Sequence, residues 1–127
     1  METTDVLVIG AGPAGCIAAS LLNKQGYKVK MVEKEKFPRF VIGESLLPRV
    51  MDHLDEAGLL DAVKSAGFQE KFGAKFVRGN EICDFNFAEQ FSDGWKWTWQ
   101  VPRGQFDHIL SNTVKSMGVD LEFETGV

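Results

Sequence analysis

The sequence predicts an α/β fold in which a βαβ unit with a parallel sheet is joined to the start of an antiparallel sheet. Three observations lead there. A glycine-rich turn, Gly10-Ala-Gly12-Pro-Ala-Gly15, separates an apolar β-branched run from a helical pattern. Short aromatic runs broken by Gly79-Asn80 and Asp93-Gly94 fill the middle of the chain. From Arg103 onward a helical period returns and is followed by strand-like alternation.

Asp5 to Ile9 is the first strand, apolar on both faces as a buried parallel strand requires. Pro13 to Gln25 reads as a helix, small on one face at Ala14, Ala18 and Ala19 and ended near Gly26. Lys28 to Glu33 is a second strand with an acid at its end, and Lys34 to Phe40, broken by Pro38, is a loop. Ser45 is placed to cap a helix carrying Leu47, Val50, Met51, Leu54 and Ala57, closed by Gly58. Leu59 to Ala66 forms a further short helix before Gly67. From Lys71, the residues Ala74, Phe76, Ile82, Phe85, Phe87, Trp95, Trp97 and Trp99 fall in antiparallel strand runs. Phe106, Ile109, Leu110, Val114 and Met117 then share a helix face that stops at Gly118, and Val119 to Phe123 alternates as a third parallel strand. The expected organisation is the N-terminal part of one domain over 1–127. Segments 1–70 and 103–127 make its Rossmann-like part, and 71–102 is an antiparallel insertion.

The turn has the chemistry of a dinucleotide site. Gly10 permits the tight strand-to-helix turn, Gly12 lets the backbone approach a pyrophosphate, and Gly15 lets the helix lie close to the strand. Pro13 at the first helical position gives up no useful donor, and the N–H groups from Ala14 onward face the phosphates with the positive end of the helix dipole. Glu33 is expected to accept hydrogen bonds from a ribose diol, which suits FAD and NAD alike. Lys34 follows it as a candidate contact, and Arg39 is either a further contact or a solvated loop cation. Cys16 reads as a small buried residue.

The 127 residues fit one domain, and 44% hydrophobic residues with a net charge of −4 describe an ordinary globular chain. Lys and Arg are scattered through an acidic chain, so no nucleic-acid footprint exists. No apolar run reaches the length of a membrane span, and the N-terminus lacks signal-peptide features, which makes the cytoplasm the expected location. Cys16 and Cys83 are isolated from each other and from histidine pairs, which argues against a metal site.

Three further segments resemble the N-terminal region of flavin-dependent monooxygenases, most closely the flavin-dependent halogenase branch. Pro38-Arg39-Phe-Val-Ile-Gly43-Glu44-Ser45-Leu-Leu-Pro48 is similar to the PRxxxGESLLP stretch that lies along FAD, which implies flavin contacts for Arg39, Glu44 and Ser45. Lys71-Phe-Gly73-Ala-Lys-Phe76 resembles the branch's KxGAxF strand and implies that Lys71 is the catalytic lysine that handles oxidised halide. The alternative is a solvated charge beside Glu70. Gln100-Val-Pro-Arg103-Gly-Gln-Phe106-Asp107 resembles QVxRxxFDxxL, in which the arginine sits near the flavin and Asp107 orients it. Trp97-Thr-Trp99-Gln-Val-Pro102 also fits the WxWx[IV]P pattern of tryptophan-type halogenases. That pattern lies well downstream in those enzymes, and one face of a strand accounts for the alternation here.

The resemblance implies the FAD-binding N-terminal portion of a flavin-dependent oxidoreductase. It would use NAD(P)H or reduced flavin as electron source on a small-molecule substrate. Alternatives are a flavoprotein resembling geranylgeranyl reductases and a dinucleotide-binding fragment without chemistry. Such a sheet places the first strand centrally, so the open edge of Asp5 to Ile9 is expected to favour self-association and the chain alone to be inactive.

Overall fold

The computed structural model describes residues 2–127. Three strands form a parallel sheet, β1 (Val6–Ile9), β2 (Val29–Val32) and β7 (Asp120–Glu122), in the order β1-β2-β7. Helix α1 (Pro13–Lys24) connects β1 to β2, and α4 (Arg103–Ser116) leads into β7. Cys16 and Ala19 of α1 pack with Phe106, Leu110 and Val114 of α4 and with Met31 of β2. Helix α3 (Leu60–Ser65) packs on α4, and α2 (Arg49–Glu56) packs on α3 and α1; the two bury Met51, Leu54, Leu60 and Val63. Burial of these side chains at about 25 cal/mol per Å² of apolar surface is what holds the helices on the sheet.

The antiparallel region divides in two. Strand β3 (Gln69–Lys71) pairs with β6 (Thr98–Gln100), while β4 (Gly73–Arg78) and β5 (Glu81–Asn86) make a separate hairpin turned at Gly79-Asn80. A short 3₁₀ turn, Phe87–Glu89, follows the hairpin. The expected Lys71 to Phe76 strand is therefore interrupted. Phe72 leaves the ladder and gives its carbonyl to Phe87 N–H at 2.9 Å, so Lys71 and Gly73 belong to different sheets. The antiparallel part also begins at Gln69 rather than 71.

Four other expectations change. Ala14 and Ala18 are exposed; of the expected small face only Ala19 is buried, together with Cys16, read as buried, and Ser20. Ser45 caps no helix: α2 starts at Arg49 behind Pro48, because the residue before a proline is disfavoured in helical geometry. Leu47 is left exposed, and Ser45 makes a β-bridge to Gln100. Trp95 and Trp97 lie outside β6, though the indoles of Trp95, Trp97 and Trp99 meet edge to face at 5.8 and 5.1 Å. Finally, only one face of β1 is covered, leaving Leu7 and Ile9 at 49% and 65% exposure on an edge strand. No helix among the described residues is long and apolar enough to cross a membrane.

Candidate functional site

At the C-terminal end of β1 the chain turns through Gly10, whose φ of 100° is readily available only to glycine. Gly10 N–H donates to Val32 carbonyl at 2.8 Å, which ties the turn to β2. Gly15 packs directly on this turn: a Cβ there would be driven into the Gly10 carbonyl. Gly12 differs. A Cβ at Gly12 would meet only Arg39 Nη2, at 3.9 Å, so the backbone there faces open space backed by a cation. Gly12 precedes α1, Pro13 opens the helix, and no side chain caps it. The first-turn N–H groups thus lack side-chain partners and suit an anion.

Glu33, just past β2, is buried, and both its oxygens are engaged. Oε2 accepts from Ala11 N–H and Oε1 from Glu35 N–H, each at 2.9 Å. The carboxylate holds the glycine turn in place and retains lone pairs for a ribose hydroxyl. Beside it lies a cleft of about 230 Å³ lined by Ile9, Gly10, Glu33, Lys34 and the segment Thr125 to Val127. Thr125 N–H donates to Glu33 carbonyl at 2.9 Å and closes that side.

Two arginines converge on one buried carboxylate. Arg103, in the first turn of α4, grips Asp107 through Nε–Oδ1 at 2.8 Å and Nη2–Oδ2 at 3.0 Å. Arg39 Nη1 donates to the same Oδ2 at 2.7 Å, while its Nε pairs with Glu35 at 3.2 Å and its guanidinium lies 4.3 Å from the Phe37 ring centre. These bonds leave Arg39 Nη2 as the atom that faces Gly12. Arg39 is held in place by these partners and is not a solvated cation. The Asp107 hydrogen bond also raises the Arg103 pKa. Cys16 lies close by, and burial, with Asp107 and Glu33 adding to it, pushes its thiol up to about 12, so it is inert.

Glu44, Ser45 and Lys71 form a second group. Glu44 is exposed, and its carbonyl accepts from Val101 N–H at 2.9 Å. Lys71 Nζ donates to Ser45 Oγ and to the Leu46 carbonyl, and partial burial lowers its pKa. Among the described residues no cluster of histidine, cysteine or carboxylate could hold a metal.

The sequence pattern of an FAD-binding domain family matches residues 3–127. The chain belongs to that family. This FAD-binding domain is 73% identical to a flavoprotein/dehydrogenase from Cytophaga hutchinsonii, with a TM-score of 0.94, over 99% of this chain and 31% of the other. It is 42% identical to a tryptophan 2-halogenase from Chondromyces crocatus over 93% of this chain and 22% of that protein. The structure of the myxobacterial chondrochloren halogenase, an FAD-dependent halogenase variant, matches at 36% identity and a TM-score of 0.87, over 98% of this chain and 29% of the other. The chain spans less than a third of the length of these relatives.

The glycine turn fits FAD: the approach over Gly12 is open, the helix start is uncapped, and a cation already stands opposite. Two contributors escaped the sequence reading. Glu35 anchors Arg39, and Asp107 serves both arginines rather than Arg103 alone. Glu35 stands four residues before Arg39, a spacing that pairs charges on a helix but carries no such signal in a loop.

Proposed function

We propose that this FAD-binding domain is the N-terminal portion, over 1–127, of a flavin-dependent oxidoreductase of the halogenase or monooxygenase type. The observation that carries this reading is the open approach over Gly12, bounded by Arg39 Nη2 and the uncapped start of α1. In this reading Gly10, Gly12, Pro13, Ala14 and Gly15 receive the pyrophosphate, with Arg39 opposite. Glu33 and Lys34 hold the adenosine ribose side, while Glu44, Ser45 and Arg103 serve the flavin side. When bound, FAD would supply the redox chemistry, with NAD(P)H or reduced flavin as the electron source. The domain's residues bind and orient it, and Lys71 supplies the amine that meets oxidised halide. A lowered pKa helps, since the free amine and not the ammonium has a lone pair.

A second reading, a flavin-dependent dehydrogenase or reductase without halide chemistry, draws support from the 73% identity to the flavoprotein/dehydrogenase. Lys71→Ala in the full-length enzyme separates the two. The first reading expects halogenated product to fall by about a hundredfold or more with FAD content unchanged. Halogenation at the wild-type rate would overturn the lysine's role, and dehydrogenation or reduction of substrate that needs neither halide nor oxygen would favour the second reading. Yellow protein that releases FAD on denaturation supports either one, whereas colourless protein that binds NADH opposes both.

We infer further that the 127-residue chain alone is without turnover, lies in the cytoplasm, and self-associates through β1. Among the described residues no strand pairs its outer edge, and Leu7 and Ile9 lie exposed beside it. Sedimentation velocity at tens of micromolar should show species larger than a monomer, and Ile9→Lys should return the chain to monomer. A wild-type chain that sediments as a monomer over that range would refute association.

A further inference from the structure

Lys71 ends β3, yet its side chain reaches past β6 to the segment on β6's other side. That segment is aligned by the Ser45–Gln100 bridge, with Leu46 N–H donating to Trp99 carbonyl at 3.4 Å and Val101 N–H to Glu44 carbonyl at 2.9 Å. The nitrogen donates to Ser45 Oγ and, at 2.8 Å, to Leu46 carbonyl. Phe87 covers it from the end of the hairpin, its ring centre 5.5 Å from Nζ, placed there by the Phe87–Phe72 backbone bond. All three partners are uncharged. Two of the ammonium's three donors are engaged in hydrogen bonds.

We propose that Ser45 is a positioning residue for Lys71, holding its nitrogen at a fixed point beside the flavin-side segment. This rests on the reading of Lys71 as the reacting amine. A lysine stem has four rotatable bonds, so an untethered nitrogen would sweep a wide volume, and a reacting group that is not held in place loses rate. The serine is suited to the task. Its short side chain keeps Oγ close to the backbone that β6 already fixes, and a hydroxyl accepts from the ammonium without the permanent ion pair that a carboxylate would impose.

The test reads the amine directly. In the full-length enzyme, lysines are labelled with trinitrobenzenesulfonate across a pH series, and the rate at Lys71 is followed by peptide mass spectrometry. The exposed Lys28 and Lys36 serve as internal references. Ser45→Ala removes one acceptor from the ammonium, so the Lys71 pKa falls further and the amine is freed. Labelling at Lys71 should rise about fivefold at neutral pH, the equivalent of one typical hydrogen bond, with its pH midpoint displaced downward. Ser45→Thr, which keeps the hydroxyl, should restore both. Equal Lys71 rates and midpoints in wild type and Ser45→Ala, with the references unchanged, would overturn the proposal. A change shared by all three lysines would indicate general loosening and would overturn it as well. Wild-type halogenation by Lys71→Ala would instead sink the reading of Lys71 and leave the tether standing.

Discussion

Gly15→Ala is expected to destabilise the domain by about 1–3 kcal/mol and to abolish retention of FAD, whereas Gly12→Ala should lose FAD with its melting temperature intact. The two glycines differ in what a methyl group would touch. At Gly15 the added carbon is driven into the Gly10 carbonyl, a backbone atom that cannot swing aside as a flexible side chain can. Relief requires α1 to move away from β1, which reopens the turn and displaces the N–H groups meant for phosphate. At Gly12 the nearest atom is an arginine nitrogen at 3.9 Å, an ordinary contact, so the fold without cofactor accepts the methyl group. The methyl then occupies the approach over Gly12, where the pyrophosphate would pass. Thermal melting of cofactor-stripped protein and the FAD content of purified protein separate the effects. Equal stability losses in both variants would show that the open face of Gly12 has been misread.

Asp107 carries the second large effect. Asp107→Ala should cost about 3–5 kcal/mol, because it leaves two poorly exposed guanidinium groups without their shared partner. Arg103→Ala and Arg39→Ala should each cost less, since in either one Asp107 keeps a cation. Urea unfolding of the three variants gives the ranking, and an Asp107→Ala loss below that of either arginine variant would contradict it. FAD affinity should also fall about tenfold in Asp107→Asn, the equivalent of one charge-assisted hydrogen bond, because Arg39 Nη2 loses its aim at Gly12.

Where the chain's chemistry is local, the sequence could be read closely. The glycine turn, the helix after it, the acid at Glu33, the Gly79-Asn80 hairpin and the helix from Arg103 all depend on residue types within a few positions of one another. The α4 face was legible because Phe106, Leu110 and Val114 follow one period. Failures came where distant segments compete for a residue. Ser45 has the side chain of a cap, but the proline three residues later delays the helix and β6 claims its backbone. Lys71 and Gly73 look continuous, yet pairing with β6 and with β5 draws them into different sheets. Asp107's second arginine lies far back in the chain, at Arg39, and no spacing rule joins them. Leu46 is legible only as an apolar residue, whereas its contribution to Lys71 is a carbonyl that every residue possesses.

The pairing of β3 with β6 has one more consequence. Lys71 faces Thr98 across that ladder, so the chain departs into the aromatic hairpin and comes back from it at neighbouring points. Everything between them is an excursion through a single doorway. The phosphate turn, the double-arginine carboxylate and the three-stranded sheet all lie outside it, and Phe87 over Lys71 is its contact with the proposed chemistry. Such an excursion can be lengthened, shortened or exchanged while its two ends stay in register. The domain thus separates a fixed holder for FAD from a hairpin whose length and composition can change without disturbing it.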